Sequence, residues 1–559
     1  MFDKFHNIIF IGIKSRKKRN FILILTLIFF ILSVLMVAPS KMVLAKMLPG
    51  KNNDTFSIYV NLAKGSSIQQ TKNVTDCIVS LSQAEEEIKD IEVFLGMGSP
   101  LDFAGLVKGS SFKNSENVAE IVINLSKAHN RNETSFMMVK RIRPYIQKTC
   151  ASIYPNIDIS FVEPPAGPPV LAAIVAEVYG DDADGIRELA NKVSNVFKNT
   201  KGLVDIQIQQ DKIYDSVEIQ VNSTKVSLSG INIKQLNEVL YLAFEGMQIS
   251  VKNSDLVNDQ IPIYLSLSKK SKKFISKDIN SIKAKLSSLK LMNNIGTMTP
   301  ITELVNIISK KSNPFIMSKN LHQMTNVMAE TDMVSQVYPL IEARNEIINN
   351  FSDKYYIKEI GLFNLELTNK HNDKVYKLIW DGEMEVTLDT FVELGVAFIA
   401  ALVLIFLLMV IYYKSYTLSA IILIGSFLSI IGVIVGHYII DIFTADTFFL
   451  TATSLIGFIA LIGISSRNSL LLIDFTRLLM KDKHMPKAEA IAYATATRAK
   501  PIFLTAAAII LASTLLASDA VFGGLGVSLI FGTIVAVISS LIVVPTLLFN
   551  ANLQKHFNL

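Results

Sequence analysis

The sequence predicts an α+β membrane protein. Six transmembrane helices, one before and five after, bracket a large extracytoplasmic block of ferredoxin-like βαβ subdomains. Three observations carry this: the spacing of the long apolar runs, the distribution of Lys and Arg around them, and strand–helix–strand alternation in the polar stretch between the first run and the second.

Half of the 559 residues are hydrophobic and only 18% are charged, and the charges are segregated. A net charge of +6 is too mild to point to nucleic acid. The two cysteines, Cys77 and Cys150, form no CxxC or Cys/His cluster, so no metal site is read. Residues 1–20 combine an amphipathic stretch, FHNIIFIGI, with the basic cluster Lys14, Arg16, Lys17, Lys18 and Arg19. The apolar run behind them, 21–39, is too long for a signal-peptide core and lacks a small-residue cleavage site. It reads as a retained first helix.

Five further runs lie within 391–549: Phe391–Tyr412, Leu418–Ile440, Thr447–Phe475, Ile502–Ala517 and Phe522–Phe549. About 20 apolar residues span a bilayer. Lys414, Arg477, Lys481, Lys483, Lys487, Arg498, Lys500 and Lys555 fall on the side of the N-terminal basic cluster, whereas the loops at Asp441–Asp446 and Ser518–Asp519 carry no Lys or Arg. The positive-inside rule then makes both termini and the tail 550–559 cytoplasmic, and the block between the first two runs periplasmic.

Within that block TFSIYVNL places Phe56, Ile58, Val60 and Leu62 on one face, as a half-buried strand does. A helical stretch and IEVFLG come next, and the pattern repeats with VAEIVINL, a helix and IDISFVE, making one split βαβ unit over 40–165. PPAGPPV marks a boundary. A second unit covers 166–213 and 313–385; its expected closing strand is Tyr356–Gly361. Residues 214–312 read as an insertion within it. Cys77 and Cys150 fall on the two helices of the first unit. Those helices run antiparallel with an expected axial offset of ~15 Å, too far for a disulfide, which needs Cα atoms within about 7 Å. Two free thiols are expected.

The fourth run holds Arg467, Asn468 and the serines Ser465, Ser466 and Ser469. A charge at mid-membrane costs at least ~2.5 kcal/mol and normally has a partner. The competing reading is an arginine that snorkels to the interface. Gly432 and Gly436 read as a packing pair, and His437 as an interfacial residue at the end of its span.

The motifs KMLPGKN (46–52), GSPLDFAGLV (98–107), GPPVLAAIVAEVYG (167–180), WDGEMEVT (380–387), GISSRNSLLLIDF (463–475) and RAKPIFLT (498–505) occur in this order. Together they resemble the C-terminal half of resistance–nodulation–division (RND) efflux pumps of the hydrophobe/amphiphile type. The resemblance implies two porter subdomains, with 214–312 as a docking-type insertion. It implies a proton-driven exporter of amphiphilic compounds, without cofactor, in a trimer with a periplasmic adaptor and an outer-membrane channel. Arg467 matches the basic residue that pairs with carboxylates of the other half, and Asn468, Arg498 and Thr505 match polar positions of the same proton relay. Each has a plainer role open to it: helix packing for Asn468, an interfacial charge for Arg498, a bond to its own helix for Thr505. Phe103, Leu106 and Phe112 lie in a loop that sorts substrate in the family, or that packs on its own subdomain. The paired aspartates of such pumps belong to the N-terminal half and are missing here. The expectation is therefore a half-length permease that needs a partner half. The alternatives are a Sec-type six-span accessory protein in polypeptide translocation, or an inactive fragment of a split gene.

Overall fold

The structure is a computed structural model that describes residues 2–38, 40–50, 52–100, 103–154, 156–164, 167–210, 213–255, 257, 260–268, 279–444 and 447–553. Lys51, Leu101, Asp102, Asp446 and Lys555 lie outside the described residues, as do the side chains of Phe103 and Ala104. The chain divides into two compact units, Met1–Gln210 with Ile316–Leu559, and Asp211–Phe315.

The first sheet contains β1 (Thr55–Asn61), β2 (Ile88–Met97), β3 (Asn114–Leu125) and β4 (Asp158–Val162), antiparallel in the order β2-β3-β1-β4. Alternation along β1 buries Phe56, Ile58 and Val60 under two helices, α1 (Ile68–Ser82) and α3 (Ser135–Cys150). A short helix, α2 (Phe103–Lys108), lies in the β2–β3 connection. α1 starts where it does because Ser67 and Gln70 form a reciprocal capping box. Its Val74 and Ile78, four apart, then face the sheet fully buried.

The expectation of two free thiols is wrong: Cys77 and Cys150 form a disulfide with Cα atoms 5.8 Å apart. The helices do run antiparallel, but they are staggered. Tyr154 accepts a hydrogen bond at its hydroxyl from Asn73 Nδ2 at 2.9 Å, so the end of α3 meets the middle of α1 and not its first turn. The ~15 Å offset assumed level helix ends.

The second sheet uses β5 (Ile174–Tyr179), β6 (Leu203–Ile208), β7 (Met317–Lys319), β8 (His322–Thr331), β9 (Tyr355–Ile360), β10 (Asn364–Asn369) and β11 (Val375–Asp381). Its order is β7-β8-β5-β11-β10-β9, with β6 also on β8. α4 (Ala183–Asn199) and α5 (Val337–Phe351) supply Leu189, Val193, Phe197, Leu340 and Ile347 to the core. The strand beside β5 is β11, in register Trp380↔Ala176, and not the expected Tyr356–Gly361. That segment forms β9 at the sheet edge, because two hairpins, β9–β10 and β10–β11, return the chain to the centre.

The second unit has its own core, including Leu236, Ile282, Leu286 and Ile301. Asp215–Val221 pairs with Val305–Lys311 at its base. A hairpin, Met247–Lys252 with Ile261–Leu265, is exposed at every residue.

Among the described residues, six helices are long and apolar enough to cross a membrane: Arg16–Val37, Glu383–Tyr413, Tyr416–Phe443, Ala452–Asp482, Lys487–Ala517 and Gly523–Asn550, the first to sixth spans in order. The third, fourth and sixth bury 61%, 56% and 61% of their most apolar stretch, against 6%, 6% and 22% for the first, second and fifth. The former three are thus the packed centre. Gly432 and Gly436 serve the packing expected of them: a Cβ at Gly432 would fall 2.3 Å from the Phe531 carbonyl oxygen, and one at Gly436 2.5 Å from Phe531 Cβ. The third span breaks at Leu428–Ser429. The sixth contains a π-turn, Ser539–Val543, whose Ser539 hydroxyl donates to the Gly425 carbonyl at 2.8 Å. The N-terminal helix Phe2–Lys14 lies against the fifth span, with Phe2 edge-on to Tyr493 at 5.2 Å.

Candidate functional site

The fourth span is one uninterrupted helix capped by Thr451. Successive residues point about 100° apart on a helix, so neighbours in SSRNS have opposite surroundings. Ser465, Ser466, Asn468 and Ser469 are buried in the bundle. The Ser466 hydroxyl donates to the Ile462 carbonyl at 2.7 Å and meets Ser426 Oγ at 3.1 Å. The hydroxyls of Ser465, Ser469 and Ser540 are buried without a hydrogen-bond partner among the described residues.

Arg467 points the other way. It is exposed on a stripe with Ile456, Ala460, Gly463 and Leu471, and among the described residues it has neither ion pair nor hydrogen bond. Beside it, a Cβ at Gly463 would meet nothing within 4 Å. Asp474, two turns on, accepts from the Tyr413 hydroxyl at 2.9 Å.

Arg498 and Thr505, the other residues expected in a relay, make their contacts elsewhere. The Arg498 guanidinium lies 5.0 Å over the Phe475 ring, and its Nε is buried without a hydrogen-bond partner among the described residues. The exposed Thr505 hydroxyl bonds its own helix, at the carbonyls of Pro501 and Ile502, 3.1 and 3.0 Å away. In the loop, Leu106 and Phe112 are exposed and the side chain of Phe103 is outside the described set. The loop is anchored at both ends. Ser99 bonds the Glu120 carboxylate through its amide and hydroxyl, and Lys108 reaches Glu330 at 2.8 Å and the Leu171 carbonyl at 3.0 Å.

Sequence reasoning missed two features. The first joins the two sheets. Arg143 of α3 is buried, with Nε 3.2 Å from Asp205 and Nη1 3.2 Å from Asp332, and its guanidinium lies over Phe161 at 5.5 Å. Asp205 also accepts from the Phe161 amide and from Gln147. Burial pushes the Asp205 carboxyl up from its ordinary value, and Arg143 and these donors pull against that. Nearby, a cavity of about 570 Å³ opens at the sheet-facing ends of the spans; its wall includes Lys46, Lys108, Glu163, Glu330, Glu383, Thr451 and Gly524. Burial raises the Glu163 carboxyl to about 7, against the opposing pull of Arg143 and Lys46.

The second is His437, which the sequence placed at an interface. It is fully buried, and both ring nitrogens are bonded, Nδ1 to the Val433 carbonyl and Nε2 to Ser454 Oγ, each at 2.8 Å. The position near a span end misled, because side-chain direction and not depth decides exposure. The signal available was helical phase: His437 lies one residue after Gly436, which packs on the sixth span, and turns toward Ser454 of the fourth.

Six apolar spans carrying ferredoxin-like sheets define a multi-pass membrane protein. The chain belongs to the AcrB/AcrD/AcrF family of RND transporters, whose family model, ACR_tran, matches residues 13–551. Swarming motility protein SwrC of Bacillus subtilis is 24% identical over 377 residues, which cover 66% of this chain and 32% of SwrC. Multidrug resistance protein MdtC of Proteus mirabilis is 21% identical over 328 residues, 59% of this chain and 28% of MdtC. The crystal structure of a heavy metal efflux pump superposes with a TM-score of 0.71 at 18% identity, over 98% of this chain and 51% of the pump. That likeness is one of fold alone. The chain spans about half the length of that pump, and the matched stretches about a third of SwrC and less of MdtC.

Proposed function

We propose that this chain is the C-terminal-half-like part of a proton-driven RND exporter of amphiphilic or drug-like compounds, acting with an N-terminal-half-like part that carries the proton-binding aspartates. One observation carries this reading: Arg467 stands exposed in the interior of a membrane span with no counter-charge among the described residues. Lipid is an untenable neighbour for it. The open notch at Gly463 leaves room for another helix to approach closely, and a carboxylate pair on that helix supplies the missing charge.

Other features support the wider assembly. The Cys77–Cys150 disulfide suits an oxidising compartment, in keeping with a periplasmic porter and cytoplasmic termini. Residues 211–315 form a unit with an exposed apolar-bearing hairpin, which suits a docking insertion that engages a neighbouring protomer in a trimer. An adaptor and an outer-membrane channel complete the export route in pumps of this kind. The proton-motive force drives it, and no cofactor is required. Family membership does not favour the Sec-type alternative.

The test is efflux in cells that supply both halves and the adaptor, read beside the amount of assembled trimer. Arg467→Met abolishes efflux at unchanged trimer level, and Arg467→Lys, which keeps the charge without the planar fork, retains part of it. Normal pumping by Arg467→Met reduces Arg467 to an anchoring residue and removes the coupling role.

A further inference from the structure

His437 sits in a hydrogen-bond chain that runs from the packed centre of the spans to the cavity wall. A carbonyl only accepts, so the 2.8 Å contact with Val433 puts a proton on Nδ1. In the neutral ring Nε2 then accepts from Ser454 Oγ at 2.8 Å. Ser454 Oγ lies 3.0 Å from Thr451 Oγ1, which lies 2.8 Å from Thr453 Oγ1, and Thr453 donates to the Val521 carbonyl at 3.1 Å. Thr451 is part of the cavity wall.

Every link between the ring and the Val521 carbonyl is a hydroxyl, which donates or accepts by rotating. With a second proton on the ring, Nε2–H donates to Ser454, Ser454 to Thr451, Thr451 to Thr453 and Thr453 to Val521. No donor is left unpaired in either state. A carbonyl or amide partner at Nε2 would have locked one state, as a purely structural histidine requires. The charged groups on the elements packed around the ring are engaged elsewhere. Asp441, one turn along the same helix, accepts from the Phe448 amide at 2.6 Å. Asp519 accepts from the amides of Val521 and Phe522 at 2.8 and 2.7 Å. Lys46 lies over the Phe449 ring and Lys41 over the Tyr338 ring. Tyr438 is partly buried beside it. Residues 21–37 of the first span, 452–466 of the fourth and 523–538 of the sixth carry no Asp, Glu, Lys, Arg or His.

We propose that His437 is a proton-binding site of the membrane domain, exchanging its proton with the cavity through Thr451 and Ser454. A proton from cavity water joins Thr451 Oγ1, which passes its own proton to Ser454 Oγ, which passes its own to His437 Nε2. The hydroxyls then rotate back, and release reverses the order. The site is separate from the Arg467 face and does not rest on the pairing proposed there.

The test uses the full chain, labelled with ¹⁵N-histidine and held in lipid nanodiscs. His437→Gln identifies the resonance among the seven histidines; if that variant does not fold, Ser454→Ala identifies it by loss of its hydroxyl partner. The expected result is an Nδ1–H tautomer at alkaline pH that becomes doubly protonated, reversibly, as the pH falls through the acid range. Thr451→Val keeps the tautomer and slows proton exchange at the ring about fivefold by removing one link. A ring that stays singly protonated wherever the protein is folded overturns the site. Unchanged exchange in Thr451→Val overturns the route.

Discussion

Two arginines of this chain teach opposite lessons. Arg143 is buried beside two carboxylates, Asp205 and Asp332, and over the Phe161 ring. Arg467 is exposed in the middle of an apolar helix and holds nothing among the described residues. A buried charge persists only when its partners offset desolvation, so the porter sheets are finished within the chain. The face of the fourth span around Arg467 is left open. The same contrast separates the packed third, fourth and sixth spans from the first and second, whose most apolar stretches are only 6% buried.

Substitutions at these positions sharpen the contrast in terms of stability. The largest effect belongs to Arg143→Met, which strands Asp205 and costs about 3–5 kcal/mol. Adding Asp205→Asn recovers much of the loss. The single tryptophan, Trp380, is stacked on Phe197 in the second sheet and reports unfolding by its fluorescence. An unaltered transition in Arg143→Met would mean that the two sheets are held together by other contacts.

Glu163 comes next, and its effect depends on pH. Its carboxyl is raised from 4.5 to about 7 in the folded chain. The folded state therefore holds a proton that the unfolded chain has released, and stability falls as pH rises from about 4.5 to about 7. Glu163→Gln flattens that fall and raises stability at pH 8 by up to about 3 kcal/mol. Thermal midpoints of wild type and variant across that range decide it, and parallel curves would refute it.

The smallest effect belongs to Arg467→Met in the chain by itself. With no partner to lose, its stability changes by about 0.5 kcal/mol or less. A drop of several kcal/mol would reveal a partner within the chain and dissolve the contrast between the arginines.

Much of the architecture was legible because periodicity and charge asymmetry are local signals. The alternation Phe56, Ile58, Val60 and the apolar runs needed no tertiary information. The features that escaped depend on how finished elements meet. Cys77 and Cys150 pair because α1 and α3 are staggered. β11 replaces the expected closing strand because two hairpins intervene between the edge and the centre. In the fourth span, SSRNS singles out one helix, but no pattern in one sequence says which face of that helix the rest of the chain covers. Arg467 and His437 thus came out reversed, the first exposed and the second enclosed.

The π-turn at Ser539–Val543 gives the sixth span a tolerance in chain length that substitutions would not reveal. A π-turn accommodates one residue more than an α-helical turn would. Losing any one residue there would let the sixth span close into regular α-helix with its C-terminal segment still facing the same way, whereas a deletion elsewhere in the span would rotate that segment by about 100°. Val544, whose methyl group fills the space over Gly425, would keep its place, as would the buried Leu548. Among relatives that keep this packing, single-residue deletions should therefore be tolerated in this segment and excluded from the helix on either side of it.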